Sequence, residues 1–478
     1  MPEGWMWARL DDVGYELGQK VPDRQFTYVD VSSIDNRLGA VSDQVQILNP
    51  QDAPSRARKL VSPGTVVYST VRPYLLNIAV IDRDFDPEPI VSTAFAVLHP
   101  LAGIEARYLF HYLRSAPFIE YVEAQMTGMA YPAINDGKFY SGPVPVPPLA
   151  EQHRIVAKVD QLMALCDELE KRHQRRAEAR VRLNRASLHH LTAVTDDADL
   201  AEHWRRIRDN FHRLYDAPET VTELRQAVLQ LAVRGKLVPQ DPSDEPASVL
   251  LERIEAERER LYKEGRIGQP KDLPPIEFGE VPFEVPDSWE WVRFGELQEF
   301  TNGFAFQSGD YQPDGIGIIR IGNLANGAVD TTNMKRVPAR LLRELDPKLQ
   351  VRKGDLLIGM SGSIGKVAFS TSDETFLLNQ RVGRIAPILM DKFYIYYFLR
   401  TTEQQYLEIS FGSAIKNLST EQIRTTAFPL PPLVEQRRIV EKVDQLMALC
   451  DELEAKLTRS RTKAEKLASA VVHHLTAA

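Results

Sequence analysis

The chain has 478 residues, too many for one hydrophobic core, so two or more domains are expected. Its 43% hydrophobic and 26% charged residues are those of a globular protein, no apolar run is long enough to span a membrane, and MPEGWMWARLDD lacks the layout of a secretory leader. A net charge of −8 gives no prior for nucleic acid, since a general phosphate binder is usually basic, and two cysteines make no disulfide framework, which points to a reducing, cytoplasmic compartment.

Residues 1–146 mix short β-like runs, such as TVVYSTV at 65–71, with turns, and then give the helical stretch EARYLFHYLRSAPFIEYVEA at 105–124. From 149 to 193 there is no Gly or Pro, and Ile155, Val159, Leu162, Cys166 and Leu169 recur at spacings of three and four. That predicts one amphipathic helix of roughly 65 Å within a 147–195 segment, too long to be stable without a partner. Residues 196–284 join two halves: TELRQAVLQLAVRGKLVPQ and SVLLERIEAERERLYKEG read as helices, Gly235 as a C-terminal cap, and KDLPPIEFGEVPFEVP as an extended linker. Residues 285–430 repeat the order of strands, helix and a last strand into prolines, and 431–478 give a second long helix.

The second half restates the first. A shift of 284 residues superposes PPLAEQHRIVAKVDQLMALCDELE at 147–170 on PPLVEQRRIVEKVDQLMALCDELE at 431–454, with differences at 150, 153 and 157. The same shift aligns Pro2, Trp5, Trp7 and Arg9 with Pro286, Trp289, Trp291 and Arg293. The fold expected is therefore α+β: two tandem units of mixed sheet and helix, separated by two long helices that pair as an antiparallel coiled coil with pseudo-twofold symmetry. The packing seam would be Ile155, Val159, Leu162, Cys166 and Leu169 against Ile439, Val443, Leu446, Cys450 and Leu453. In that arrangement the cysteines lie about 15 Å apart, too far for a disulfide, and act as small buried hydrophobes.

Catalytic signatures fail on inspection. GMSGSIGKVA (359–368) is not a phosphate loop, because Met360 and Val367 stand where Gly and Ser or Thr are required. No Cys/His spacing suggests a metal, and neither G-x-S-x-G nor G-x-G-x-x-G after a strand is present. What remains are basic and amide-bearing loops, whose side chains are those that contact phosphates and base edges. The candidates in the first unit are Arg56, Arg58, Lys59, Arg72, Tyr74, Tyr131 and Asn135. In the second they are Arg320, Asn323, Lys353, Ser361, Ser363, Lys366, Asn379, Arg381, Lys416 and Asn417. Neither unit is basic overall: Lys plus Arg against Asp plus Glu is 12 to 17 for 1–146 and 16 to 16 for 285–430.

The tandem of variable unit and shared helix, with FPLPPLVEQRRIVEKVDQLMALCDELE, LRQAVLQLAVRGKLVPQDPSDEPASVLLERI, GDLLIGMSGSIGKVAF, LNQRVGRI and SAIKNLSTEQI, resembles the specificity subunits of type I restriction–modification enzymes. The resemblance covers essentially the whole chain and is weaker in the first unit, which has TVVYSTVRPYLLNIAV and AYPAINDGKFY at the corresponding places. It implies that each unit is a target recognition domain reading one half of an asymmetric bipartite site in double-stranded DNA. It implies that the coiled coil sets the spacing, at most about 19 base pairs for a helix of this length. It also implies that the helical regions dock two methyltransferase subunits, joined by restriction subunits. S-adenosylmethionine, ATP and Mg would serve those partners, and this chain would bind no cofactor and catalyse nothing. The alternatives are a specificity subunit of a related system with fused methylase and nuclease, a structural protein that dimerises through its helices, and an enzyme with an unrecognised site.

Overall fold

The structure, a computed structural model, describes residues 2–128, 132–194, 196–325, 327–362, 364–410 and 417–477. The chain divides into two compact units, Met1–Arg175 and Arg176–Ala478.

In the first unit two four-stranded sheets carry the fold. One orders its strands Gln46–Leu48, Phe26–Val29, Pro89–Ser92, Ala57–Leu60, and the other Gly14–Tyr15, Phe95–Pro100, Val66–Ser69, Ile78–Val80. Helices α1 (Ala106–Leu113) and α2 (Ala116–Gln125) bury Leu109, Leu113, Phe118 and Val122 with Tyr68, Leu98 and Phe139. The opening strand Met6–Arg9 pairs antiparallel with Pro143–Val146, placing Trp7 opposite Pro145. Prolines tolerate this strand because its pairing is only two-stranded. Pro147 and Pro148 end it, and α3 (Leu149–Ala193) runs on over the Gly- and Pro-free stretch. α3 begins in this unit, and its residues from Arg176 on belong to the second.

The second unit opens with the end of α3 and with α4 (Asp197–Asp209), α5 (Glu219–Val233) and α6 (Ala247–Lys263). α5 stops where the sequence predicts: Gly235 sits at φ +69, with its N–H on Ala232 O (3.3 Å) and the Lys236 N–H on Leu231 O (2.9 Å). A six-stranded sheet follows, ordered Gln298–Asn302, Val382–Pro387, Leu356–Gly359, Val367–Phe369, Ala328–Val329, Leu324–Ala325. A four-stranded sheet orders Lys335–Val337, Ile316–Ile319, Phe376–Leu378, Gln350–Val351. Helix α7 (Lys392–Ser410) precedes the strand Ala427–Leu430, which pairs with Glu290–Arg293 and puts Trp291 opposite Pro429. The last helix is α8 (Leu433–Ala477). α5 and α6 share one core with Trp289, Tyr394, Phe398, Phe428, Ile439 and Val443.

Each long helix is rooted by the same device. Fully buried Gln152 donates to Pro147 O (2.9 Å) and Gly103 O (3.1 Å) and accepts from Glu105 N (2.8 Å). Gln436, equally buried, donates to Pro431 O (3.0 Å) and accepts from Asp391 N (3.0 Å). The repeated E-Q pair after the prolines thus ties the helix to its own domain.

The seam expected along the helices needs correction. On α8, Ile439, Val443 and Cys450 are buried and Leu446 and Leu453 half-buried, but their cover includes α5, with Leu224, Ala227, Val228 and Leu231 in the same cores. On α3, Ile155 and Val159 are half-buried, whereas Leu162 and Leu169 are 47% and 56% exposed and Cys166 is exposed. Among the described residues of the first unit no helix covers those three. Among the described residues no helix is long and apolar enough to cross a membrane.

Candidate nucleic-acid interface

In the second unit four loops named separately in the sequence adjoin. Strand Leu356–Gly359 leads into the Gly/Ser loop, whose Met360 N–H bonds Arg381 O (2.9 Å) and whose Met360 O accepts from Leu418 N (2.7 Å). Ser361 bridges Asn417, and the Gly362 position faces the Ile321 side chain. Gly362 and Gly365 hold φ +72 and +74, so the loop needs glycine there to turn back on itself.

Two arginines and a tyrosine come out of this frame. Tyr311, Arg320, Gly322, Gln380 and Arg381 line an open cleft of about 380 Å³. Arg320 is half-buried, and its Nε is buried without a hydrogen-bond partner; Arg381 is exposed. The amides between them hold the loops. Buried Asn323 accepts from Arg320 N (3.0 Å) and donates to Asp330 O (3.0 Å). Asn379, 6% exposed, accepts from Arg381 N (3.3 Å), and its own N–H bonds Ile319 O (3.1 Å). The expectation that Asn323 reads a ligand is therefore corrected, since its amide is spent on backbone, whereas Asn379 lines the cleft with its Oδ1 holding the Arg381 N–H. A carboxamide in a turn does either job, and only burial decides. Tyr311 and Gln380 were missed as individual candidates; Gln380 stands inside the marked NQR turn, while Tyr311 carries no local signal beyond an aromatic in the turn-rich GDYQPDG.

The remaining candidates of this unit lie elsewhere. Exposed Lys366 lines a different, polar cleft with Tyr396, Arg400, Glu403 and Asp451. Lys353 is exposed and paired with Asp373 (2.9 Å). Ser363 and Lys416 fall outside the described residues, as does Tyr131 of the first unit.

The first unit repeats the frame with other side chains. Its loop after Val66–Ser69 bridges Val71 to Ala133, as Ser361 bridges Asn417. Its Thr70 N–H bonds Ala94 O (2.9 Å), as Met360 bonds Arg381, so Ala94 stands in the place of Arg381. Around this turn Arg56 O accepts from Thr93 N (2.8 Å) and Arg72 N donates to Pro132 O (2.8 Å). Arg56, Arg72 and Tyr74 are exposed, Arg72 at a left-handed φ of 48°. Asn135 is exposed, but its side chain caps the short helix Asp136–Tyr140 by accepting from Lys138 N (2.8 Å). Arg58 is half-buried and donates to its neighbour Ala57 O (2.8 Å).

Lys59 is a second correction. It is 4% exposed and its ammonium donates to Asp136 (2.7 Å) and Glu16 (2.8 Å). Burial alone would push its pKa down, but the two carboxylates more than offset that and hold it above the ordinary lysine value. The period-two strand turns Lys59 inward with Ala57, so it offers no charge to a phosphate.

The family model for the type I restriction modification DNA specificity domain matches residues 51–179 and 286–460. The specificity subunit of the type I restriction enzyme EcoAI from Escherichia coli is 32% identical over 474 residues, covering 95% of this chain and 79% of that protein. The EcoEI specificity subunit, also from Escherichia coli, is 29% identical, covering 98% of this chain and 82% of its own length. Among solved structures, a chain from a study of complex assembly and conformational transition of the type I R-M system superposes with a TM-score of 0.58 at 25% identity, covering 99% of this chain and 97% of that one.

Proposed function

The chain belongs to the type I restriction–modification specificity subunits, and we propose that each of its units reads one half of a split, asymmetric DNA target. The observation that carries this is the shared loop frame with different chemistry on it. The same backbone bonds hold both frames, yet one presents Arg320, Gln380 and Arg381 and the other Arg56, Arg72 and Tyr74. Like frames with unlike side chains fit two related but different half-sites, since base edges are distinguished by the donors and acceptors they meet.

The two 45-residue helices are the spacer in this reading, fixing how far apart the half-sites stand. Two methyltransferase subunits, which use S-adenosylmethionine, dock on the helical regions; restriction subunits bring ATP and Mg chemistry. This chain itself contributes recognition in the cytoplasm and no catalytic step.

Co-expression with a methyltransferase subunit and mapping of methylated adenines tests the reading. The expected motif is split, and exchange of residues 1–146 for the corresponding domain of a relative changes one half only. A contiguous motif, or one indifferent to the exchange, overturns it.

A further inference from the structure

A pocket of about 360 Å³ lies in the second unit, lined from α6, the chain that follows it, strand Gln298–Asn302 and the short helix Thr420–Arg424. It shares no lining residue with the cleft of Arg320 and Arg381. Its size is at the lower end of small-molecule sites, roughly 300–1,000 Å³.

Three polar side chains in the lining are unengaged. Gln298 is 4% exposed, and its amide oxygen and nitrogen are both buried without a hydrogen-bond partner. Arg258 and Arg424 are half-buried, and neither guanidinium has a hydrogen-bond or ion-pair partner among the described residues. Arg293 and Arg438 of the same unit, by contrast, each meet a carboxylate. Burial holds the Arg258 pKa below the ordinary arginine value; Glu296 opposes that shift and Arg424 adds to it, so the two cations are close enough to repel. Gly295 permits the approach, since a Cβ there would stand 2.8 Å from the Arg424 Cβ and 2.9 Å from Leu273 Cδ1. Among the described residues Glu299 is the one carboxylate in the lining, against Arg258, Arg424 and Lys271. Apolar surface adjoins these groups in Ile388, 6% exposed, and half-buried Phe300.

A phosphate of duplex DNA would meet the arginines and leave Gln298, Phe300 and Ile388 unused. A ligand that uses them all has an oxyanion for the guanidiniums, a ring for Phe300 and a donor beside an acceptor for the carboxamide. An adenine nucleotide combines the three, because its base presents N6–H beside N7, the complement of a glutamine amide. We propose that this pocket binds one free adenine nucleotide, phosphate on Arg258 and Arg424 and base edge on Gln298. The bound nucleotide also pins residues 267–271, which form part of the wall, and so steadies the chain leading into the second recognition domain.

Equilibrium dialysis of the full chain against AMP tests this. One saturable site is expected, with at least about tenfold weaker binding of adenosine and of inorganic phosphate, each of which offers only part of the ligand. Arg258→Gln and Arg424→Gln leave no partner unpaired and so keep the fold; each should weaken AMP at least about tenfold and leave adenosine binding as it was. Gln298→Leu replaces an unsatisfied amide with an apolar group of similar size. It should bind AMP and purine riboside 5′-monophosphate, which lacks the 6-amino group, alike, whereas the unaltered chain should prefer AMP. AMP should also slow proteolysis within 266–285. No saturable binding below about 1 mM, equal affinity for inorganic phosphate, or AMP binding untouched by the arginine variants would overturn the proposal. So would arginine variants that lose DNA affinity and part of its salt dependence in a chain that binds no AMP, which would assign both arginines to the phosphates of DNA.

Discussion

Arg293 is the side chain on which the entry to the second unit hangs. It is 5% exposed, and its guanidinium donates to Pro274 O (2.8 Å), Pro275 O (2.7 Å), Thr425 O (2.5 Å) and Glu280 (2.5 Å). It therefore latches the linker and the last turn before Ala427–Leu430 to the opening strand. Arg293→Met keeps the length and the packing of the stem but leaves three carbonyls without their donor. The Glu280 pair, 46% exposed on the carboxylate side, contributes little. Charge-assisted bonds lost from a buried site cost about 1.5–3 kcal/mol each and add incompletely, so a loss of roughly 3–5 kcal/mol is expected. Arg9, its counterpart under the 284-residue shift, is exposed, and Arg9→Met should cost under about 0.5 kcal/mol. Because the chain has two units, a single unfolding midpoint is ill-defined, and proteolysis within 266–285 is the better readout. Where cleavage follows transient opening, 3 kcal/mol corresponds to a rate increase on the order of a hundredfold. Equal cleavage rates for Arg293→Met and Arg9→Met would refute the latch.

Three further outcomes are expected. Arg381→Ala should weaken binding to the cognate target by about 1–3 kcal/mol and relax one position of one half-site, read by competition against single-base variants; unchanged discrimination removes Arg381 from recognition. Cys166 should react with maleimide at least about a hundredfold faster than Cys450, whose thiol is buried beneath α5 and pushed up in pKa by that burial, and comparable rates would mean α5 does not stay on α8. His111 bonds Asp160 (3.0 Å), yet burial outweighs that carboxylate and holds its pKa below the ordinary 6.5. The folded state thus binds fewer protons than the unfolded one, stability is full above about pH 6.5 and falls as pH drops toward the native value, and His111→Asn should lose that part of the acid sensitivity; identical pH profiles would contradict it.

The long helices, the duplication and the Gly235 stop were legible because each rests on local pattern: absent breakers, repeated letters, a glycine where a left-handed turn is due. The surroundings of a pattern are not local. Leu162 and Leu446 sit in identical sequence, and one is exposed while the other is half-buried, because α5 packs beside Leu446. Lys59 looked like a member of the basic run SRARK, but its partners Glu16 and Asp136 lie 43 and 77 residues away. The likeness of the two recognition frames was hidden in the same way. Their loops differ in sequence, whereas the bonds that define them, Thr70 to Ala94 and Met360 to Arg381, are made by backbone atoms that any residue supplies.

That backbone frame explains how the domains can differ while the helices stay alike. In both units the first strand pairs with the last, Met6 opposite Val146 and Glu290 opposite Leu430, so the chain enters and leaves each globular part at neighbouring points beside the helix root. Gln152 and Gln436 then fasten that root through the main chain of residues 103, 105, 147, 391 and 431. None of these bonds depends on the side chains of the loops that carry Arg72 or Arg381. A substitution in those loops leaves the attachment intact, whereas a substitution at Gln152 or Gln436 leaves buried amides and carbonyls unpaired at the junction. Variation is therefore tolerated in the loops and penalised where the units join the helices, which matches the 24-residue window that differs at only three positions while the domains between have diverged.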